Sequence, residues 1–399
     1  MKASETSERY IGKVRECCNY AARSAKKFIG DDKKTSRQPC GKDEARLLEA
    51  LKADLSTFCD TVTESSYPVS QKAYILSNFL VFLFMLLAGV TAILGYFINE
   101  LIIIGTFVFS ILALAAFFGA FGGTAKKLTG KNIFATRTCK DSVKHRIIIE
   151  ANLDAPFKRK ISRRTEYILK FFNFLLILVD IAFSIIALLI TYEHLEFIAY
   201  DAFIYISFIT PLFAIIPIVL SRSVIITEST PGVTDNLLSC YTACGALRYM
   251  SEMELKLDHT ELCVLLTGSK NANMAGAKMY IKTNAEADKA VDTTVVSLNS
   301  IYEPETITVL SNDKKSDQLL HEAADLAEVK LVKSNPKYVK STAKLFKKAK
   351  ISSATITSLT DEAPAFYRSA KDNTENINVP AIEATIKTIL EAAYLKDSK

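Results

Sequence analysis

Four long apolar runs restrict what this chain can become. Residues Ala73 to Ile98 and Leu101 to Ala125 carry no charged side chain and are separated only by Asn99 and Glu100. Phe171 to Tyr192 and Ala202 to Ser221 form a second pair, joined by the segment Glu193 to Asp201. A helix needs ~20 apolar residues to cross ~30 Å of hydrocarbon. Each run supplies them, so the pattern predicts four transmembrane helices in two hairpins, residues 71–125 and 168–222. A secretory signal does not account for the first run, because a long polar segment precedes it. With 49% hydrophobic and 23% charged residues and a mean hydropathy of +0.18, apolar and charged residues must be segregated along the chain.

Charge sets the expected orientation. Residues 123–167 hold twelve Lys and Arg against four acids, whereas the two hairpin tips hold only Glu100, Glu193, Glu196 and Asp201. Basic loops stay on the cytoplasmic side, which predicts a multi-pass protein of the cell membrane with its N-terminus, middle segment and C-terminal region in the cytoplasm. The eight cysteines all fall in those parts and form no Cys-x-x-Cys pair, as expected of reduced thiols in that compartment. Asp180 is the exception within the apolar runs. It lies ~14 Å along the third span at 1.5 Å per residue. A carboxylate there faces a bundle interior or a water path; bonding to Ser184, Ser207 or Thr210 across helices is the reading preferred over an ion site, and Pro211 and Pro217 are expected to kink the fourth span.

Outside the apolar runs, strands and helices alternate. Residues 1–70 read as helical, with Leu47, Leu48, Leu51, Leu55 and Phe58 on one face. Strands are expected at Arg146 to Ala151, Leu262 to Leu266, Thr293 to Leu298, Thr306 to Leu310 and Ala354 to Ile356. Helices are expected at Leu237 to Met253, Asp317 to Ala327, Val339 to Lys350 and Pro380 to Tyr394. This is the pattern of a layered α/β domain, built from an N-terminal part (1–70), a middle segment (126–167) and a main part (223–399).

Five short stretches then line up in order: ANLDAP at 151–156, PGVTDNLLSC at 231–240, LLTGSKNANMAGAKMYI at 265–281, VVSLNSIY at 295–302 and FYRSAKDNTENIN at 366–378. Together with Arg37 to Glu44, they resemble the M28 family of zinc aminopeptidases. The family pattern is His-x-Asp after a strand, Gly-x-x-Asp-Asn, Gly-Gly-Glu-Glu followed by Gly-Ser-Lys, Asn-Leu-Asp, and Tyr-His-Thr. The resemblance implies an M28-like mixed sheet flanked by helices, interrupted by the two hairpins. It also implies where two zinc ions would be held. Asn152 stands at the first zinc His, Asp154 at the Asp that orients it, and Asp235 at the bridging Asp. Lys270 stands at the general-base Glu and Asn271 at the zinc Glu beside it. Asn299 stands at the next zinc Asp, and Arg368 at the last zinc His.

Asp235 is thus the one retained ligand. Asn carbonyls bind zinc poorly, and a Lys does not take a proton from water at neutral pH unless its pKa falls far. His145, His194, His259 and His321 lie outside these stretches and read as solvated residues. The expectation is a pseudoenzyme acting as a binding or regulatory module without a cofactor. Lys270 and Arg368 either supply the charge zinc would have supplied to Asp235 and Asp154 or point to solvent. The alternatives are an active membrane-bound zinc aminopeptidase with an altered site, and a transporter or channel component capped by the α/β domain. The bilayer and a peptide or protein are the expected partners, nucleic acid is not, and homo-oligomers stay open.

Overall fold

A computed structural model describes residues 3–5, 8–30, 35–98, 100–191 and 214–398. The chain divides into two compact units, one of Met1–Val69, Leu128–Phe157 and Thr227–Lys399, the other of Ser70–Lys127 and Lys158–Ile226. The strands, in chain order, are β1 (Thr61–Val69), β2 (Leu128–Arg137), β3 (His145–Asn152), β4 (Phe157–Arg159), β5 (Val224–Ser229), β6 (Thr260–Thr267), β7 (Asp292–Asn299), β8 (Thr308–Ser311) and β9 (Ser352–Thr357). The described helices are α1 (Tyr10–Ile29), α2 (Lys42–Phe58), α3 (Ala73–Phe97), α4 (Ile103–Phe117), α5 (Arg163–Thr191), α6 (Ile215–Ser221), α7 (Leu238–Glu252), α8 (Ala275–Ala290), α9 (Lys314–Leu326), α10 (Ala343–Lys348) and α11 (Val379–Asp397).

The first unit is a seven-stranded mixed sheet in the order β1-β2-β6-β3-β7-β9-β8. β6, β3, β7 and β9 run parallel, while β1, β2 and β8 are antiparallel to their neighbours. β4 and β5 form a separate two-stranded sheet. Ile147, Ile148, Ile149 and Ala151 of β3 are fully buried, as are Val264, Leu265 and Leu266 of β6. Continuous apolar runs of this kind belong to parallel strands covered on both faces. One face packs against α1, α2, α7 and α11 through Val14, Leu51, Leu247 and Ile386, and the other builds a smaller core from Ile148, Cys263, Val295 and Phe346. The four parallel strands end on the same side, the edge where open α/β sheets place their sites.

Two readings of local structure change. The segment 1–70 is not helical to its end: Thr61–Val69 form β1, paired with β2 from Thr61↔Thr136 to Val69↔Leu128. Thr61, Val62 and Thr63 are β-branched, which favours a pleated strand, and Pro68 is tolerated because β1 is an edge. The helix expected over 339–350 contracts to α10, because the Ser341 hydroxyl bonds Thr355 and the Thr342 hydroxyl bonds Glu150. Local side-chain bonds compete with helix in this way.

Within the second unit, α3 and α5 are long and apolar enough to cross a membrane. α4 is not: its fifteen residues rise only ~22 Å. It stops because Gly119 adopts φ 81°, a left-handed ending that suits glycine. The expected fourth span lies mostly outside the described residues, which include α6 and its buried Pro217 but not Pro211, Ser207, Thr210 or His194. Two helices of spanning length, rather than four, are therefore described. Apolar side chains of this unit lie on its surface as well as in its core, which holds Val81, Met85, Ala113 and Ile177. Phe79, Phe97, Phe171, Phe172 and Ile215 are more than half exposed, while Ser110, Asn173, Asp180 and Ser184 are buried. Asp180 Oδ2 lies 2.9 Å from Ser110 Oγ of α4. Ser184 is not its partner, since that hydroxyl bonds Ile181 O within α5.

The close approach of α8 to the sheet supplies a test. A Cβ on Gly276 would meet Gly268 O, Asn132 Oδ1 at 2.5 Å and the Tyr67 hydroxyl at 2.7 Å. Gly276→Ala is expected to destabilise the chain by ~1–3 kcal/mol, the usual cost of overpacking, measured as a lower midpoint of thermal unfolding relative to Gly123→Ala, where nothing lies within 4 Å.

Candidate functional site

The C-terminal ends of β3, β6 and β7 deliver most of the side chains singled out in the sequence. Asn152 is the last residue of β3 and Asn299 the last of β7, while Lys270 and Asn271 follow β6. Asp235 sits in the turn before α7, joined to Asn236 by a cis peptide bond. Arg368 lies in the loop after β9. Three residues of these loops, Ser269, Ser300 and Arg368, have φ of 58°, 55° and 56°. A left-handed conformation costs an L-residue on the order of 1 kcal/mol, and such strain collects at functional sites. Gly232 (φ 60°) opens the Asp235 turn, where a Cβ would meet Ala155 Cβ at 2.6 Å and Asp235 O at 2.7 Å.

Arg368 and Asp235 are brought together. Arg368 Nε donates to Asp235 Oδ2 at 2.7 Å, with side-chain exposures of 9% and 2%. Lys270 goes elsewhere. Its ammonium donates to Asn152 Oδ1 at 2.9 Å, and it reaches Asp154 through its backbone N–H at 2.7 Å. Asp154 is satisfied by amides instead of a cation side chain, accepting also from Asn271 N at 2.7 Å and Asn271 Nδ2 at 2.8 Å. Burial pushes the Lys270 pKa down, with Asp235 opposing and Arg368 adding to the fall. Burial pushes the Asp154 carboxyl up, and the Asn271 and Lys270 amides oppose it. Asn299 Oδ1 accepts from Ser300 Oγ at 3.3 Å, while its buried Nδ2 has no hydrogen-bond partner among the described residues.

Several supporting residues escaped the sequence reading. Asn236 Nδ2 donates to Asn152 Oδ1 and to Leu298 O, each at 2.9 Å, and Asn236 Oδ1 accepts from Ser300 N, so one amide ties three loops. Arg37 is fully buried and donates to the carbonyls of Leu153, Pro231 and Gly232. Glu44 accepts from Ser269 N at 2.9 Å; burial and Asp154 push its carboxyl up to about 8. Asp372 accepts from Thr234 N at 2.8 Å, Thr234 Oγ1 at 2.9 Å and Asp235 N at 3.2 Å. The only sequence signal for these was their position in the segment Arg37 to Glu44, for Arg37 and Glu44, and inside the motif stretches for Asn236 and Asp372. Of the histidines, His145 is not solvated: its Nδ1 lies 3.2 Å from Asp292 Oδ2 with 16% exposure. His259 contacts Ser142 O and His321 is exposed.

Two outcomes follow for stability. Arg368→Ala strands the Asp235 carboxylate, and removing one partner of a buried pair costs ~3–5 kcal/mol; denaturant unfolding of the full chain is expected to show a loss of that size. Burial pushes the Asp372 carboxyl up to about 6, against the Thr234 donors. Between its unfolded value of ~3.9 and that value the folded state holds a proton the unfolded chain has released. Stability therefore falls as pH rises through the window, by ~3 kcal/mol in all. Asp372→Asn is expected to remove that part of the pH dependence, read from unfolding midpoints at pH 4.5 and 7.5.

Residues 221–393 match the sequence profile of peptidase family M28. No curated protein matches the chain. Solved structures do. The zinc aminopeptidase BSAP from Bacillus subtilis superposes with TM-score 0.55 at 10% identity, covering 95% of this chain and 94% of that one. A glutaminyl cyclase from an Acidobacteriales bacterium gives TM-score 0.55 at 9% identity over 96% and 94% of the two chains. LapB from Legionella pneumophila gives TM-score 0.55 at 10% identity over 98% and 75%. The profile match over residues 221–393 and these superpositions of the chain agree, and the chain carries the fold of peptidase family M28.

Proposed function

We propose that this chain is a multi-pass membrane protein whose M28-fold unit is a pseudoenzyme, acting as a binding or regulatory module. The observation that carries the reading is the buried Arg368–Asp235 pair, 2.7 Å apart. The fold family implies zinc, and the residues present do not fit it. Asp235 is the one carboxylate at the five ligand positions, and a guanidinium holds it. Asn152 Oδ1, at the first ligand position, accepts from the Lys270 ammonium and the Asn236 amide. Among the described residues no three His, Cys, Asp or Glu side chains converge as a metal donor set. Two fixed cations would also repel a divalent ion, and Lys270, at the position of the base, is an amine whose ionised form has no proton-accepting lone pair.

The ligand suited to this edge of the sheet changes accordingly. An amino-terminal group, natural for the family, would face Lys270 and Arg368. The Lys270 ammonium and the Asn299 Nδ2, which has no hydrogen-bond partner among the described residues, instead favour a group rich in acceptors, such as a peptide carbonyl or carboxylate.

The membrane reading is supported by α3 and α5, by the exposed apolar side chains of the second unit and by the burial of Ser110, Asn173 and Asp180, since polar groups in lipid face a bundle interior. The basic middle segment supports a cytoplasmic M28-fold unit. The Asp180–Ser110 contact supports a role for that carboxyl in holding α4 to α5.

Elemental analysis of the purified full chain is expected to find well below one zinc per chain, with no hydrolysis of aminoacyl substrates; two stoichiometric zincs with chelator-sensitive peptidase activity would refute the reading. Cysteine labelling in intact cells is expected to reach residue 195 but neither Cys139 nor a cysteine at the C-terminus. Labelling of the C-terminus from outside would overturn the topology.

A further inference from the structure

The four segments by which the chain enters and leaves its apolar unit converge. The Tyr74 hydroxyl, at the start of α3, lies 3.2 Å from Glu166 Oε1 at the start of α5 and 3.4 Å from Leu220 O at the end of α6. A Cβ on Gly122, beyond α4, would sit 3.5 Å from Ala73 Cβ. Residues 70–73, 118–127, 158–170 and 214–226 contain ten Lys and Arg and a single acid, Glu166. That acid is buried and already held, by Arg159 and by Lys170 at 2.7 Å. Lys72, Lys126, Lys127, Lys160 and Arg164 are exposed and make no ion pair among the described residues.

The surface changes character over a short distance. Within two turns of Arg164, α5 exposes Tyr167 at 60%, Ile168 at 47% and Phe171 at 59%. Cations followed by aromatic and then aliphatic side chains are the order met on passing from headgroups into hydrocarbon. We infer that this collar binds the phosphates of anionic lipid headgroups. The inference rests on the membrane reading above. It adds a partner to it: lipid phosphate is the anion that sits beside the apolar faces these cations border, and the collar's own acid is too few and too buried to neutralise it.

The test uses the full chain in non-ionic detergent with equal amounts of phosphatidylglycerol and phosphatidylcholine, with retained lipid counted by native mass spectrometry. Wild type is expected to retain phosphatidylglycerol in preference. Each cation near a surface contributes about 5-fold in attraction, so the variant Lys126→Gln/Lys127→Gln/Lys160→Gln/Arg164→Gln is expected to lose at least tenfold of that preference. Exchanging Lys126, Lys127 and Lys160 for Arg is expected to keep it, which separates lost charge from lost folding. Equal retention of both lipids by wild type, or full displacement of phosphatidylglycerol by an equal concentration of inorganic phosphate, would overturn the inference. Release of the chain from membranes by alkaline carbonate would instead refute the membrane reading itself. Retention in the membrane without lipid preference would refute only the collar.

Discussion

The M28-fold unit turns on how Asp235 is neutralised. Loops from β3, β6 and β7 and the turn before α7 all end near this carboxylate, and an unpaired charge there would work against folding. Arg368 answers it from a loop that follows the last strand of the sheet. A guanidinium differs from a metal ion as a compensator. It is tethered, it is always charged, and it directs its N–H groups to particular acceptors. The site is thereby closed by the chain's own covalent structure, and Lys270 becomes free to serve Asn152 instead of a carboxylate.

The replacements also redistribute hydrogen bonding. Where a metal gathers lone pairs, this pocket gathers donors: the Lys270 ammonium, the Arg368 guanidinium, and the amides of Asn271 and Asn299. Asn152 and Asn236 mediate between them because an amide both donates and accepts. The same fold, in the solved structures it resembles, belongs to aminopeptidases and to glutaminyl cyclases, so the scaffold tolerates a change in what it is used for.

Much of this was legible in the sequence where periodicity or motif order carried it. The buried run Ile147 to Ile149 announced a central strand, and five short stretches in family order placed Asn152, Asp154, Asp235, Lys270, Asn271, Asn299 and Arg368. β1 and β2 were not legible, because TVTESSYPV and LTGKNIFATR carry too few apolar residues to show a period and depend on each other for pairing. The destination of the Lys270 side chain was not legible either. Its backbone N–H satisfies Asp154, a bond no side-chain pattern encodes, and this leaves the ammonium to Asn152. Of the three partners expected for Asp180, Ser207 and Thr210 lie outside the described residues and Ser184 bonds within α5. Its contact with Ser110 of α4, seventy residues away, is one that only helix packing could bring about.

β6 lies between β2 and β3 in the sheet, yet it is made after both and after every apolar segment. Until residue 260 has left the ribosome, β2 and β3 have no common neighbour and the parallel core has no centre. Synthesis therefore completes the helices of the second unit before the sheet of the first can close. The M28-fold unit is a clasp fastened last: a chain cut short between β5 and β6 holds the helices of the second unit and the β1–β2 pair but lacks the strand that joins β2 to β3, so the edge on which Asn152, Lys270 and Asn299 meet cannot form.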